Sequence, residues 1–120
     1  VFVERGRQAV GCIQKNLEKT RLASKARVLT EDVLSALTRL MTEKAEFDVI
    51  FLDPPYHKGY EEQVCQEIMK KGLLAAGGLM VVESAADTEF EVPEGLHLVK
   101  SKAYRITKFT LLRRDEGVDE

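Results

Sequence analysis

The 120-residue sequence predicts an α/β protein with a mostly parallel sheet that ends in an antiparallel hairpin. Three observations carry that expectation. β-prone runs alternate with helical patterns through most of the chain, the signature of parallel strands joined by crossover helices. Phe47-Asp48-Val49-Ile50-Phe51-Leu52 and Leu79-Met80-Val81-Val82 are apolar runs of the kind buried on both faces of a parallel sheet. The last two β-prone segments, 96–103 and 106–113, follow each other with no helical pattern between them, as a hairpin does.

The elements follow in order. Val1-Phe2-Val3 is a short β-prone run ending at Glu4. Residues 7–20 repeat Val10, Ile13 and Leu17 at helical spacing, with Ala9 and Cys12 flanking them. Ala26 to Thr30 alternates and is β-rich. Residues 31–42 carry Val33, Leu34, Leu37, Leu40 and Met41 on one helical face. The strand 47–52 stops abruptly at Asp53-Pro54-Pro55-Tyr56, and Gly59 closes that loop. A third helix over 60–71 points Val64, Cys65, Ile68 and Met69 inward. Gly72 and Gly77-Gly78 punctuate a turn before the strand that begins at Leu79. The order is β-α-β-α-β-α-β-β-β in a single domain over 1–120, with no repeat or low-complexity segment.

Composition narrows the function classes. The net charge of −2 supplies no strong overall field for nucleic acid. The distribution is less even: His97 to Arg114 holds six basic residues (Lys100, Lys102, Arg105, Lys108, Arg113, Arg114) and no acid. That run reads equally as an RNA-facing hairpin or as a solvated face. No apolar run is long enough to span a bilayer, and the first residues do not resemble a signal peptide, so a cytoplasmic protein without membrane contact is expected. Cys12 and Cys65 both fall at apolar helix positions and read as buried free thiols. Two histidines and no CxxC leave no metal site to expect.

Ligands of open parallel sheets bind beyond the carboxyl ends of the strands. Glu4, Asp32 and Asp53 all fall at such ends. A carboxylate there can take the two hydroxyls of a ribose, or it can simply begin a capped helix. Asp53-Pro54-Pro55-Tyr56 is the sharpest feature. Two prolines fix φ and remove two backbone donors, which makes a stiff loop that displays carbonyl oxygens. The Asp53 carboxylate beside them suits an amino group with two N–H bonds to give, and Tyr56 offers a flat face for a base to stack on. A rigid strand-to-helix turn with a packed tyrosine is the plainer reading. His57, Lys58 and Glu83 are smaller candidates: the first two read equally as RNA-phosphate contacts or as a solvated loop, and Glu83 as lining the pocket or capping a turn.

With these residues in place the chain resembles the RsmD family of guanine-N2 methyltransferases of small-subunit ribosomal RNA. The resemblance runs through VFVERGRQAVGCIQKNLEK, FDVIFLDPPYHKGYEE, GLLAAGGLMVVES and the basic terminal hairpin. It implies a Rossmann-like S-adenosylmethionine-dependent methyltransferase fold and S-adenosylmethionine as cofactor. Ribosomal RNA, or a small-subunit assembly particle, is the implied partner. It implies that Glu4 holds the cofactor ribose, that Asp32-Val33 meets the adenine, and that Asp53, Pro54, Pro55 and Tyr56 hold the target base, with Asp53 also beside the cofactor. The family's first strand and Gly-rich loop would precede Val1, and its last hairpin has Tyr-Gly where this chain has Tyr104-Arg105. In that alignment the preceding strand lies between Val1–Glu4 and Phe47–Asp53. The expectation is that it comes from a longer protein or another copy, or that the sheet closes by pairing these two strands directly. A DNA or protein-glutamine amino-methyltransferase, and an RNA-binding module without catalysis, are the alternative readings.

Overall fold

A computed structural model of the chain describes residues 1–55 and 58–116. The element order is β1 (Phe2–Val3), α1 (Arg7–Lys19), a single 3-10 turn (Ala23–Lys25), β2 (Val28–Leu29), α2 (Val33–Thr42), β3 (Phe47–Leu52), α3 (Tyr60–Lys70), β4 (Leu74–Ala85), β5 (Leu96–Tyr104) and β6 (Thr107–Arg114).

The strands form two sheets. β1 and β2 pair in parallel, and β3-β4-β6-β5 form a four-stranded sheet in that order. β3 and β4 are parallel, whereas β4–β6 and β5–β6 are antiparallel. Of the alternatives expected for the sheet, direct closure is the one that does not occur: β1 pairs with β2 and not with β3. A parallel unit followed by an antiparallel hairpin is the expected α/β architecture.

The core lies on one side of the four-stranded sheet. Met80 and Val82 of β4, Leu112 of β6 and Leu52 of β3 are buried there against Leu37 and Leu40 of α2 and against Val64, Cys65 and Ile68 of α3. The opposite face is open. β3 was expected to be buried on both faces, yet Val49 and Phe51 are 62% and 58% exposed. Side chains alternate across a strand, so one covered face buries only every second residue. α2 shows the same one-sidedness. Ala36, Leu37 and Leu40 are buried, while Val33, Leu34 and Met41, expected on the inner face, are exposed. Cys12 is likewise exposed and only Cys65 is buried.

β4 begins earlier than expected. Gly77-Gly78 reads as a turn in the sequence, but the strand runs through it as an irregularity. Phe47 pairs with Leu74 and Val49 with Leu79, so β4 carries extra residues between those pairs. Gly77 takes φ 74°, and a Cβ on Gly78 would lie 2.7 Å from the Ala75 carbonyl oxygen. Glycines at both positions make that bulge possible.

Candidate active site

The carboxyl ends of β1, β2 and β3 open into one cavity of about 1220 Å³ between the two sheets. Its walls include Val3 and Glu4 beyond β1, Asp32 and Val33 at the start of α2, and Asp53, Pro54 and Pro55 beyond β3. The structure thus gathers the expected residues that lie among those described, although they are spread over fifty positions of the chain. Tyr56 and His57 lie outside the described residues.

Each acid is held differently. Glu4 turns back on the chain, and its Oε2 accepts from the Gly6 N–H at 3.0 Å, just before α1. Glu4 lines the cavity, and its Oε1 has no protein donor among the described residues. Asp32 is the N-cap of α2. One of its oxygens accepts from the Ser35 backbone N–H at 3.1 Å and the other from the Ser35 hydroxyl at 2.8 Å. The backbone bond from Ser35, then the hydroxyl bond, hold its pKa below the ordinary carboxylate value. Capping is therefore an actual role of Asp32, and any ligand contact would use its remaining lone pairs. The neighbouring Glu31 is drawn away by Arg39, whose Nε and Nη2 donate to it at 3.1 and 3.0 Å.

Asp53 is not alone at the end of β3. Leu52 pairs with Val82, so the next position on each strand sets Asp53 beside Glu83. The Glu83 carboxyl lies within hydrogen-bonding reach of Asp53. A hydrogen bond between them, then desolvation and the Asp53 charge, raise the Glu83 pKa above the ordinary value. This pairing was not expected from the sequence, where the two acids are thirty positions apart. Glu61 was missed altogether. It lies in the first turn of α3 and is 1% exposed, and its Oε1 has no partner among the described residues. Its signal was available: it precedes Val64 by three and Cys65 by four, on the buried stripe.

The basic run divides in two. Lys108 donates to the Thr88 carbonyl and Arg114 to the Leu74 carbonyl. Arg113 donates to the Gly77 carbonyl at 3.0 Å. These three brace the hairpin. Lys100 pairs with Leu111 and Lys102 with Phe109 across the β5–β6 ladder. Leu111 and Phe109 in turn pair with Val81 and Glu83. Lys100 and Lys102 therefore share the open sheet face with Asp53 and Glu83.

The α/β architecture, with a crevice at its strand ends, is that of the Rossmann-like S-adenosylmethionine-dependent methyltransferases. Solved structures agree. A conserved hypothetical protein of Streptococcus pyogenes matches with a TM-score of 0.85 and 29% identity, over 94% of this chain and 69% of that one. An RNA methyltransferase from Salinibacter ruber, in complex with S-adenosyl-L-homocysteine, has the same fold with a TM-score of 0.63 and 15% identity, over 98% of this chain and 67% of that one. In sequence, the ribosomal RNA small subunit methyltransferase D of Haemophilus influenzae is 30% identical over 111 residues, 92% of this chain and 57% of that protein. The family model described as conserved hypothetical protein 95 matches residues 1–113, and the chain belongs to that family, the RsmD family. It spans little more than half the length of its Haemophilus relative. Among the described residues no helix is long and apolar enough to cross a membrane.

Proposed function

We propose that the protein carrying this chain transfers a methyl group from S-adenosylmethionine to the N2 amine of a guanine in small-subunit ribosomal RNA, in the cytoplasm. The observation that carries the reading is the single cavity shared by Glu4, Asp32, Asp53 and Pro54. Cofactor-type and base-type residues meet there at the ends of neighbouring strands. The name of the Haemophilus relative supplies the RNA class, and the family resemblance supplies guanine N2.

The donor set suits the cofactor. A carboxylate accepts two hydrogen bonds from a ribose diol, and Glu4, which lines the cavity, keeps one oxygen without a donor among the described residues. Val33 offers an apolar surface beside the Asp32 cap for the adenine. When bound, S-adenosylmethionine supplies an electrophilic methyl on sulfur. The chain's own residues do the rest. An exocyclic amine is a poor nucleophile because its lone pair is delocalised into the ring. Asp53 and the Pro54 carbonyl, accepting its two N–H bonds, favour a pyramidal nitrogen and stabilise positive charge as it develops. The stiff proline pair holds those acceptors in place, so that alignment of the reactants lowers much of the barrier. The base enters from unpaired RNA or leaves its stack to reach them.

Calorimetric titration with S-adenosylmethionine tests the cofactor half. Glu4→Ala weakens binding by roughly 1–3 kcal/mol, the scale of lost charge-assisted hydrogen bonds. An unchanged dissociation constant would reduce Glu4 to a residue that starts α1.

A further inference from the structure

Resting on the reading above, we propose that Glu83 selects guanine: its carboxyl accepts the ring N1–H of the target base while Asp53 and the Pro54 carbonyl take the amine. The argument starts from strand register. Leu52 faces Val82 across β3 and β4, so the residues that follow, Asp53 and Glu83, stand side by side on the open face of the sheet. β4 is bonded on both edges at this level, with Glu83 itself paired to Phe109 of β6. That anchoring fixes the spacing between the two acids. Asp53 lines the cavity, and the register sets Glu83 next to Asp53 on the neighbouring strand, at the edge of the proposed amine site.

The chemistry of the bases decides what such a pair recognises. Asp53 lies close enough that a side-chain hydrogen bond to it, and its charge, raise the Glu83 pKa above the ordinary carboxylate value. Each carboxyl has two oxygens, so a hydrogen bond between the pair still leaves one oxygen on each as an acceptor. The pair thus presents two acceptors in a row. Among the bases with an exocyclic amine, adenine and cytosine place a ring nitrogen acceptor next to the amine. Only guanine places a ring N–H donor there. Two adjacent acceptors satisfy guanine's N1–H and N2–H together. Against adenine or cytosine, one of them would face a lone pair, and a site built to receive a donor rejects an analogue lacking it. A single carboxylate in the same place accepts an amine from any of the three bases. The second acid therefore adds information that the Asp-Pro-Pro-Tyr motif alone does not contain.

The test uses methyl transfer by the full-length protein to a small-subunit RNA fragment. The fragment carries guanine, 1-methylguanine or adenine at the accepted position. Wild-type protein is expected to favour guanine over 1-methylguanine by about 10- to 100-fold, the cost of leaving one buried acceptor without its donor. Glu83→Ala lowers kcat/KM on guanine by a similar factor. It also shrinks the guanine preference to about threefold or less, because the partner of N1–H is already gone. Glu83→Gln keeps a carbonyl for N1–H and an N–H for Asp53, and recovers at least part of the Glu83→Ala loss. An unaltered guanine preference in Glu83→Ala, in a protein that methylates guanine, would overturn the role of Glu83 alone. Wild-type transfer to adenine, or to no RNA at all, would overturn the function reading with it.

Discussion

Asp53 and Cys65 illustrate how much one side chain's surroundings decide. Asp53 ends β3 with a carboxylate on a stiff loop, and its neighbour is an acid rather than a cation. Cys65 is fully buried in the core beneath α3. Burial first, and the nearby Glu61 charge second, push its thiol up from 9.0 to about 12. The protonated thiol is thus the form the folded state prefers. In the unfolded chain the thiol ionises near 9, so the unfolded state binds fewer protons above that pH and stability falls as pH rises from about 9 toward 12. Cys65→Ala removes this alkaline slope, which urea midpoints measured between pH 8 and 11 would reveal. In the native protein at pH 8, a thiol reagent modifies the exposed Cys12 and spares Cys65. Equal modification would show that the core around α3 opens readily. The sequence placed both cysteines inside because helical periodicity marks a face, not whether another element covers it. The same limit explains the missed link between Asp53 and Glu83, since strand register is a property of the folded sheet. The Asp-Pro-Pro motif, by contrast, was legible, because its chemistry lies in consecutive residues.

The terminal hairpin carries the element-scale lessons. Tyr104 pairs with Thr107, which leaves Arg105 and Ile106 as a two-residue turn. Arg105 takes φ 58°, the left-handed region. Two-residue hairpins with a positive φ at the first central position favour glycine there. The Tyr-Gly that the family resemblance implies at this turn therefore has a backbone reason, and this chain holds the left-handed geometry with arginine. Arg105 also sits 5.7 Å from the centre of the Tyr104 ring, a cation–π contact that offsets part of the cost. Arg105→Gly raises stability by about 1 kcal/mol, read from the denaturation midpoint; a loss would mean the ring contact outweighs the strain. The basic side chains of the hairpin separate by face. Charge reversal of Lys100 and Lys102 lowers RNA affinity and flattens its salt dependence by about one unit of slope per lost phosphate contact. Lys108→Glu instead destabilises the fold, since Lys108 braces the Thr88 carbonyl. If the paired variant binds RNA with an unaltered slope, the open face is only solvated. Element types were legible here because alternation and helical period are local. The start of β4 was not, because Gly77-Gly78 supports a bulge inside a strand as readily as a turn outside one.

At the scale of the whole molecule the defining feature is the crevice. β1 and β2 stand apart from the four-stranded sheet, and the cavity between the two sheets is lined by the ends of β1 and β3 together. The sheet does not close across it, so Glu4, Asp32 and Asp53 keep their common opening. Had β1 paired with β3, the crevice would be gone. The alternation of strands and helices predicted this α/β arrangement, but burial on both faces did not follow. Val49, Phe51 and half of α2 are uncovered because the described helices pack chiefly on one side of the main sheet. The proposed chemistry needs the crevice and Asp53 at its mouth. The most direct test is to map the product after the full-length protein acts on small-subunit RNA with methyl-labelled S-adenosylmethionine, for wild type and Asp53→Ala. The prediction is label on guanine N2 with wild type, and none with Asp53→Ala, whose cofactor affinity stays within a few-fold. Label on another atom, or undiminished guanine label with Asp53→Ala, would contradict it.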